Sequence, residues 1–213
     1  MNKEIYIFSG LGADERVFQR LDLSGYSVSF IKWQTPFNNE SIENYSTRLL
    51  DQINSNRPIL IGLSFGGLIA IEIAKQIDTE KVILISSAKR RSEIPFYYRL
   101  AGKLQLHKLL PTAFLKHSNF ITNWFFGITS KSDKDLLREI LIDTDEKFLR
   151  WAIDKAVNWT NKTGLRNVVH IHGTSDRILP LKYVSCDFKI RDGGHLMVLE
   201  KADQVSEILR KQL

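Results

Sequence analysis

The sequence predicts an α/β domain: a mostly parallel six-stranded sheet with crossover helices and one helical lid insertion. Three observations carry this. Short apolar runs alternate with helix-length patterns at both ends of the chain, the signature of β-α-β units. Most of these runs are continuous rather than alternating, as in strands buried on both faces. Residues 88–165 then break the alternation, with no strand-like run. A chain of 213 residues, 43% hydrophobic and 25% charged, is long enough to bury one core without staples. Its 12 Gly and 5 Pro exclude collagen-like and low-complexity classes. The lone Cys186 excludes an intrachain disulfide and a cysteine zinc cluster, and fits a reducing compartment. Without an export signal or a run of roughly 20 apolar residues, the expectation is a soluble, cytoplasmic protein with no transmembrane segment.

The six predicted strands are Ile5–Phe8, Val28–Trp33, Pro58–Leu63, Lys81–Ser86, Val168–His172 and Cys186–Ile190. Between and after them, Ala13–Leu21, Ser41–Ile53, Phe65–Ile77 and Met197–Leu213 read as helices. The second is the clearest, because Ile42, Tyr45, Leu49 and Ile53 share a helical face and Ser41 stands ready to cap it. The expected division is therefore a core of residues 1–87 and 166–213, and a lid of residues 88–165. Two lid helices are announced by cap signals, Ser132 before Asp133 and Asp135, and Thr144 before Asp145 and Glu146. Half of the chain's aromatic residues lie in this insertion, so the reading expects them to be buried against the core.

Chemistry is concentrated at three strand ends. After the third strand stands Gly62-Leu63-Ser64-Phe65-Gly66-Gly67, a G-x-S-x-G in strand-turn-helix context. Such a turn holds its serine in a strained conformation at a helix N-terminus, and the flanking residues must be almost free of side chain for strand and helix to approach. A serine needs a base, and the base an orienting carboxylate. His172-Gly173-Thr174-Ser175-Asp176 follows the fifth strand and Asp192-Gly193-Gly194-His195 the sixth. Parallel strands bring their C-terminal ends to one rim, so Ser64, Asp176 and His195 can converge there. Asp192 is a rival to Asp176. Among the other histidines, His170 and His172 fall inside a strand, and His107 and His117 in the insertion. The oxyanion hole needs two backbone N–H groups, and Phe65 and Leu11 are the nominees. Gly10-Leu11-Gly12 also admits a dinucleotide-loop reading, which fails because Glu15 stands where a third glycine is needed.

With these motifs in this order, the chain resembles the α/β-hydrolase superfamily in its small form with a helical lid, over essentially its whole length. The resemblance implies a Ser-His-Asp triad, no cofactor, and a site between core and lid. Two departures stand out: Ser9-Gly10 replaces the usual His-Gly of the first oxyanion loop, and Leu63 precedes the serine where many lipases and esterases have His. A serine at position 64 speaks against dehalogenase and epoxide hydrolase chemistry, which use a carboxylate. The function expected is a serine hydrolase (esterase) cleaving a carboxylic ester or thioester through an acyl-enzyme on Ser64. The alternatives are an acyltransferase, a carbon-carbon hydrolase or a lyase using the same triad, or a non-catalytic ligand-binding member of the fold.

The net charge of +6 lies entirely within residues 88–165, and within those, in the first half. Lys89, Arg90, Arg91, Arg99, Lys103, Lys108 and Lys116 face one acid, Glu93, and interleave with Phe96, Tyr97, Tyr98, Leu104, Leu106, Leu109 and Leu110. With no nucleic-acid motif beside it, this stretch reads as a solvated helical face or as a recruiter of something anionic and partly apolar: a membrane surface, an acyl carrier or an acyl-CoA. The partner expected is a small-molecule acyl substrate; oligomeric state is left open.

Overall fold

The computed structural model describes residues 3–109, 111, 116 and 119–213. Leu110 and His117 lie outside the described residues. The chain opens with β1 (Glu4–Phe8), a single 3₁₀ turn (Glu15–Phe18) and β2 (Ser27–Phe30). It continues through α1 (Ile42–Leu49), β3 (Ile59–Leu63), α2 (Phe65–Ala74) and β4 (Lys81–Ile85). A helical segment follows, with α3 (Phe96–Lys103), a 3₁₀ turn (Leu106–Leu109), α4 (Phe120–Phe126), α5 (Lys131–Asp143) and α6 (Glu146–Val157). The chain closes with β5 (Val168–Gly173), β6 (Phe188–Ile190), α7 (Met197–Glu200) and α8 (Ala202–Gln212).

All six strands pair parallel, in the order β2-β1-β3-β4-β5-β6. The central strands read as apolar runs because both faces are covered, and alternate residues go to opposite sides. Ile5, Ile7, Ile59, Ile61, Ile83 and Ile85 pack toward α5, α7 and α8, against Leu137, Ile140, Met197 and Leu209. Tyr6, Phe8, Leu60, Val82 and Leu84 face α1, α2 and α6, against Tyr45, Leu49, Ile69, Phe148 and Trp151. Helix α2 is apolar all round because it lies between sheet and α6, as a helix buried on every side must be. Its one acid, Glu72, is buried, and it accepts from Trp159 Nε1 at 2.8 Å and Lys75 Nζ at 2.6 Å.

Several expectations are corrected. The helix expected over Ala13–Leu21 shrinks to the turn Glu15–Phe18, capped by Asp14 through Arg16 N. Its buried residues, Val17 and Phe18, are neighbours and do not define a helical stripe. The strand expected over Val28–Trp33 ends at Phe30, and Trp33 turns inward instead, its Nε1 donating to Ser9 Oγ at 2.9 Å. The helix expected over Met197–Leu213 is broken at Lys201. Ser130, not Ser132, caps α5: it stands before the first turn and its hydroxyl accepts from Asp133 N, three residues on, at 3.1 Å. Asp145, not Thr144, caps α6 through Phe148 N at 2.7 Å, while Thr144 closes α5 by donating to the Ile140 carbonyl.

The aromatic residues of the helical segment divide. Phe148, Trp151 and Trp159 are buried on the core, but Phe96, Tyr97, Phe120, Trp124 and Phe125 are exposed. Helix α6 lies on an apolar layer over α1 and α2, with Phe148 and Trp151 against Trp33, Tyr45 and Phe65; the exposed side chains of α3 and α4 have no such layer beneath them.

Candidate active site

Ser64 is the first residue after β3 and the residue before α2, at φ 52° and ψ −119°. A non-glycine residue there is strained, and the surroundings enforce it. Ser64 N donates to the Ile85 carbonyl of β4 at 2.9 Å, and Ser87 Oγ donates to the Ser64 carbonyl at 2.6 Å. The glycines act by close approach: a Cβ on Gly62 would lie 2.4 Å from the Gly67 Cα, and one on Gly66 2.3 Å from the carbonyl oxygens of Phe8 and Ser9.

The structure brings Ser64, His195 and Asp176 together in one row. His195 Nε2 lies 2.7 Å from Ser64 Oγ, and His195 Nδ1 lies 2.8 Å from Asp176 Oδ2. The second contact fixes the tautomer, because the carboxylate can only accept from Nδ1–H, which leaves Nε2 as the acceptor facing the hydroxyl. His195 and Asp176 are buried, so the row is shielded from bulk water except at Ser64. Asp192, the rival carboxylate, is exposed and points at Arg191, 3.7 Å away.

Asp176 is held from both oxygens. Oδ1 accepts from the Ile178 and Leu179 N–H groups at 2.9 and 2.8 Å, a turn that Asp builds with its own side chain. Burial pushes this carboxyl up, but the His195 ring, its hydrogen bond, His172 and the Leu179 N–H outweigh burial and hold it below the ordinary aspartate range. His172, buried in β5, donates from Nε2 to the Leu179 carbonyl at 2.8 Å, and the same nitrogen lies 3.5 Å from Asp176 Oδ2. Its Nδ1 then accepts from His170 Nε2 at 3.3 Å. Burial above all, with neighbouring His172 and Lys89 adding to it, pushes His170 down to about 3, and burial likewise pushes His172 down. Both strand histidines are therefore neutral near pH 7, and His172 braces the loop that carries Asp176. Their position inside a strand hides these two histidines in the sequence; the H-G-x-x-D spacing is the signal that the chain turns back after β5 and brings Asp176 beside His172.

Leu11 and Phe65 both line the cavity that opens on Ser64. Phe65 N–H is a first-turn helix donor, which has no intrahelical acceptor, and among the described residues neither it nor the Leu11 N–H donates to another group. The cavity measures about 180 Å³, and apart from Ser64 and the Tyr98 hydroxyl its side chains are aliphatic or aromatic: Leu68, Ile94, Ile153 and Leu179 among them. Burial pushes the Tyr98 phenol up to about 12, so it stays a neutral donor. A second cavity is lined by Gly10, Asp14, Trp33 and Asp145 among others. No cluster of metal-ligating side chains occurs among the described residues.

The family model described as the Alpha/beta hydrolase family matches residues 6–208. The chain belongs to this family. No curated protein matches it. Solved structures share the fold: an esterase from Exiguobacterium antarcticum at 13% identity and TM-score 0.72, covering 99% of this chain and 91% of that one. A bromoperoxidase from Bacillus anthracis matches at 17% identity and TM-score 0.70, over 100% and 92% of the two chains. The enol-lactonase from Burkholderia xenovorans LB400 matches at 18% identity and TM-score 0.69, over 100% and 91%. At these identities the likeness is one of architecture. In this α/β hydrolase Ser9 stands at the position before Gly10, and its hydroxyl is occupied by Trp33, so the departure from His-Gly leaves the loop tethered by a different side chain.

Proposed function

We propose that this protein is a serine hydrolase acting on a carboxylic ester or thioester through an acyl-enzyme on Ser64, with His195 as base and Asp176 as its orienting partner. The observation that carries the reading is the unbroken Ser64–His195–Asp176 row at 2.7 and 2.8 Å, opening on an apolar cavity. In the first half-reaction His195 Nε2 takes the Ser64 proton as Oγ bonds to the acyl carbon. Negative charge moves onto the carbonyl oxygen, where the N–H groups of Leu11 and Phe65 donate to it. Collapse of this intermediate breaks the bond to the alcohol or thiol, which leaves with the proton held on Nε2. Water repeats the sequence in the second half: Nε2 takes its proton, hydroxide adds to the acyl carbon, and Ser64 Oγ departs with the proton.

The cavity supports a substrate class. At about 180 Å³ it falls below the roughly 300–1,000 Å³ of drug-sized sites, and its walls are apolar, so it suits a short acyl or alkyl group. Residues 88–165 serve as its lid, with Ile94, Tyr98 and Ile153 forming the cavity's outer wall.

A fluorophosphonate probe tests the nucleophile, and p-nitrophenyl esters and acyl thioesters of graded length test the cavity. The probe should label the protein and leave Ser64→Ala unlabelled, and turnover should peak at short chains. An unlabelled protein, under conditions that label a known serine esterase, would leave the ligand-binding alternative as the better reading.

A further inference from the structure

The stretch from Ile94 to Ser132 contains no Asp or Glu, while it carries Arg99, Lys103, Lys108, Lys116 and Lys131. The same stretch holds ten of the twelve large hydrophobic side chains exposed among the described residues, from Phe96 to Phe125. A soluble surface scatters such residues singly; here they are gathered. On α3 the arrangement is ordered. Phe96, Leu100 and Leu104 recur every fourth residue along one exposed row, and Arg99 and Lys103 form the row beside it. Arg99, Lys103, Lys108 and Lys116 have no carboxylate partner among the described residues.

Helices α3 and α4 flank the same rim loop. Tyr97 of α3 meets Tyr183 with ring centroids 6.1 Å apart. Trp124 of α4 lies 4.4 Å beneath the Arg177 guanidinium, which also donates to the Trp124 carbonyl at 2.7 Å. Arg177 follows Asp176 directly, and Tyr98 and Ile178 line the cavity that opens on Ser64. The apolar and basic surface therefore borders the mouth of that cavity.

We propose that α3, the Leu106–Leu109 turn and α4 form a docking surface for an anionic lipid bilayer. Protein interfaces deplete lysine among their apolar anchors, whereas surface-bound amphipathic helices combine a Lys/Arg face with Leu, Phe and Trp on the other. No helix among the described residues is long and apolar enough to cross a membrane, so the contact is at the interface, with Phe96, Leu100, Leu104, Phe120 and Trp124 entering the headgroup region. The inference stands apart from the hydrolase reading, since docking needs no turnover.

Vesicle flotation tests it, with the wild-type chain and with Ser64→Ala, on phosphatidylcholine alone and on phosphatidylcholine with an equal part of phosphatidylglycerol. Both proteins should float with the anionic vesicles only, and capture should fall at least tenfold as salt rises from 0.1 to 1 M and the Debye length shrinks from about 10 to about 3 Å. Lys103→Gln with Lys108→Gln should weaken binding roughly 25-fold, taking about fivefold per lysine near an anionic surface. Binding should shift Trp fluorescence to the blue in wild type and not in Trp124→Phe, with unchanged circular dichroism as the fold control. Equal capture on both vesicle types, no capture, or indifference to the lysines would overturn the proposal. So would self-association, or binding of an acidic acyl carrier protein, that occupies these residues while vesicles are ignored.

Discussion

Two regions meet over Ser64, and they treat their side chains in opposite ways. At the sheet rim almost every polar group has a partner. Asp176 accepts three hydrogen bonds, His195 uses both ring nitrogens, and Ser87 holds the Ser64 carbonyl. Helix α6 belongs with this region: Trp151 Nε1 donates to the Glu40 carbonyl at 2.9 Å, its ring centroid lies 4.3 Å from that of Tyr45, and Phe148 packs against Trp33 at 5.1 Å. In α3 and α4 most large apolar side chains face outward, Tyr98 and Phe126 apart, and the cations of α3 stand without acids among the described residues. Partnered groups fix geometry and stability together; outward groups contribute little to either and are free to serve contact with something else.

The comparison is broken most severely through the partnered rim. Replacing Ser64 or His195 by Ala should each cost on the order of 10⁴-fold in kcat/KM, and the double change should be little worse than either alone, because the residues act as one unit. Additive losses would mean they act independently. Asp176→Asn should fall in the same range while Asp192→Asn stays near wild type, as ester hydrolysis assays will show.

Trp159→Ala comes next. It removes a fully buried ring and the donor to buried Glu72, so urea titration should show a loss of about 3–5 kcal/mol. A pH effect that builds to a similar size only over several pH units follows from His170. Its folded pKa near 3 lies below the unfolded value of about 6.5, so between these values the unfolded chain binds a proton that the folded chain does not. Stability should then drop as pH falls below about 6.5, by about 1.4 kcal/mol per pH unit for this one group until pH nears 3. His170→Asn should flatten the slope of the urea midpoint against pH by one proton's worth; identical slopes would remove His170 as the cause. The smallest effects belong to the outward region. Leu104→Ser and Phe120→Ser should change stability by no more than about 0.5 kcal/mol, and a loss comparable to Trp159→Ala would erase the distinction between the regions.

The same division explains what was legible in the sequence. Buried strands advertise themselves as apolar runs, and Ile59–Leu63 or Lys81–Ile85 depart from expectation by a residue. Ser64, Asp176 and His195 follow from motif order and from the shared rim of a parallel sheet. Caps were less legible because Ser130 and Ser132, or Thr144 and Asp145, are chemically alike at neighbouring positions, and only the reach to a particular N–H separates them. The fate of the aromatic residues was not legible: Trp124 and Trp151 look alike in sequence, and only the presence of an apolar face beneath α6 decides between them. His172 was hidden because its role depends on a contact with Leu179, across a turn that Asp176 itself creates.

Gly66 has a consequence that reaches beyond stability. Its α-carbon comes so near the Phe8 and Ser9 carbonyl oxygens that a methyl group would lie 2.3 Å from both. The loop leading to Leu11 and the helix beginning at Phe65 are thus separated by the thickness of one bare backbone. That thickness works as a caliper for the two N–H groups proposed to receive the oxyanion. Any side chain at position 66 would widen the caliper before it touched a substrate, so changes of specificity are open to the cavity walls and closed to this residue.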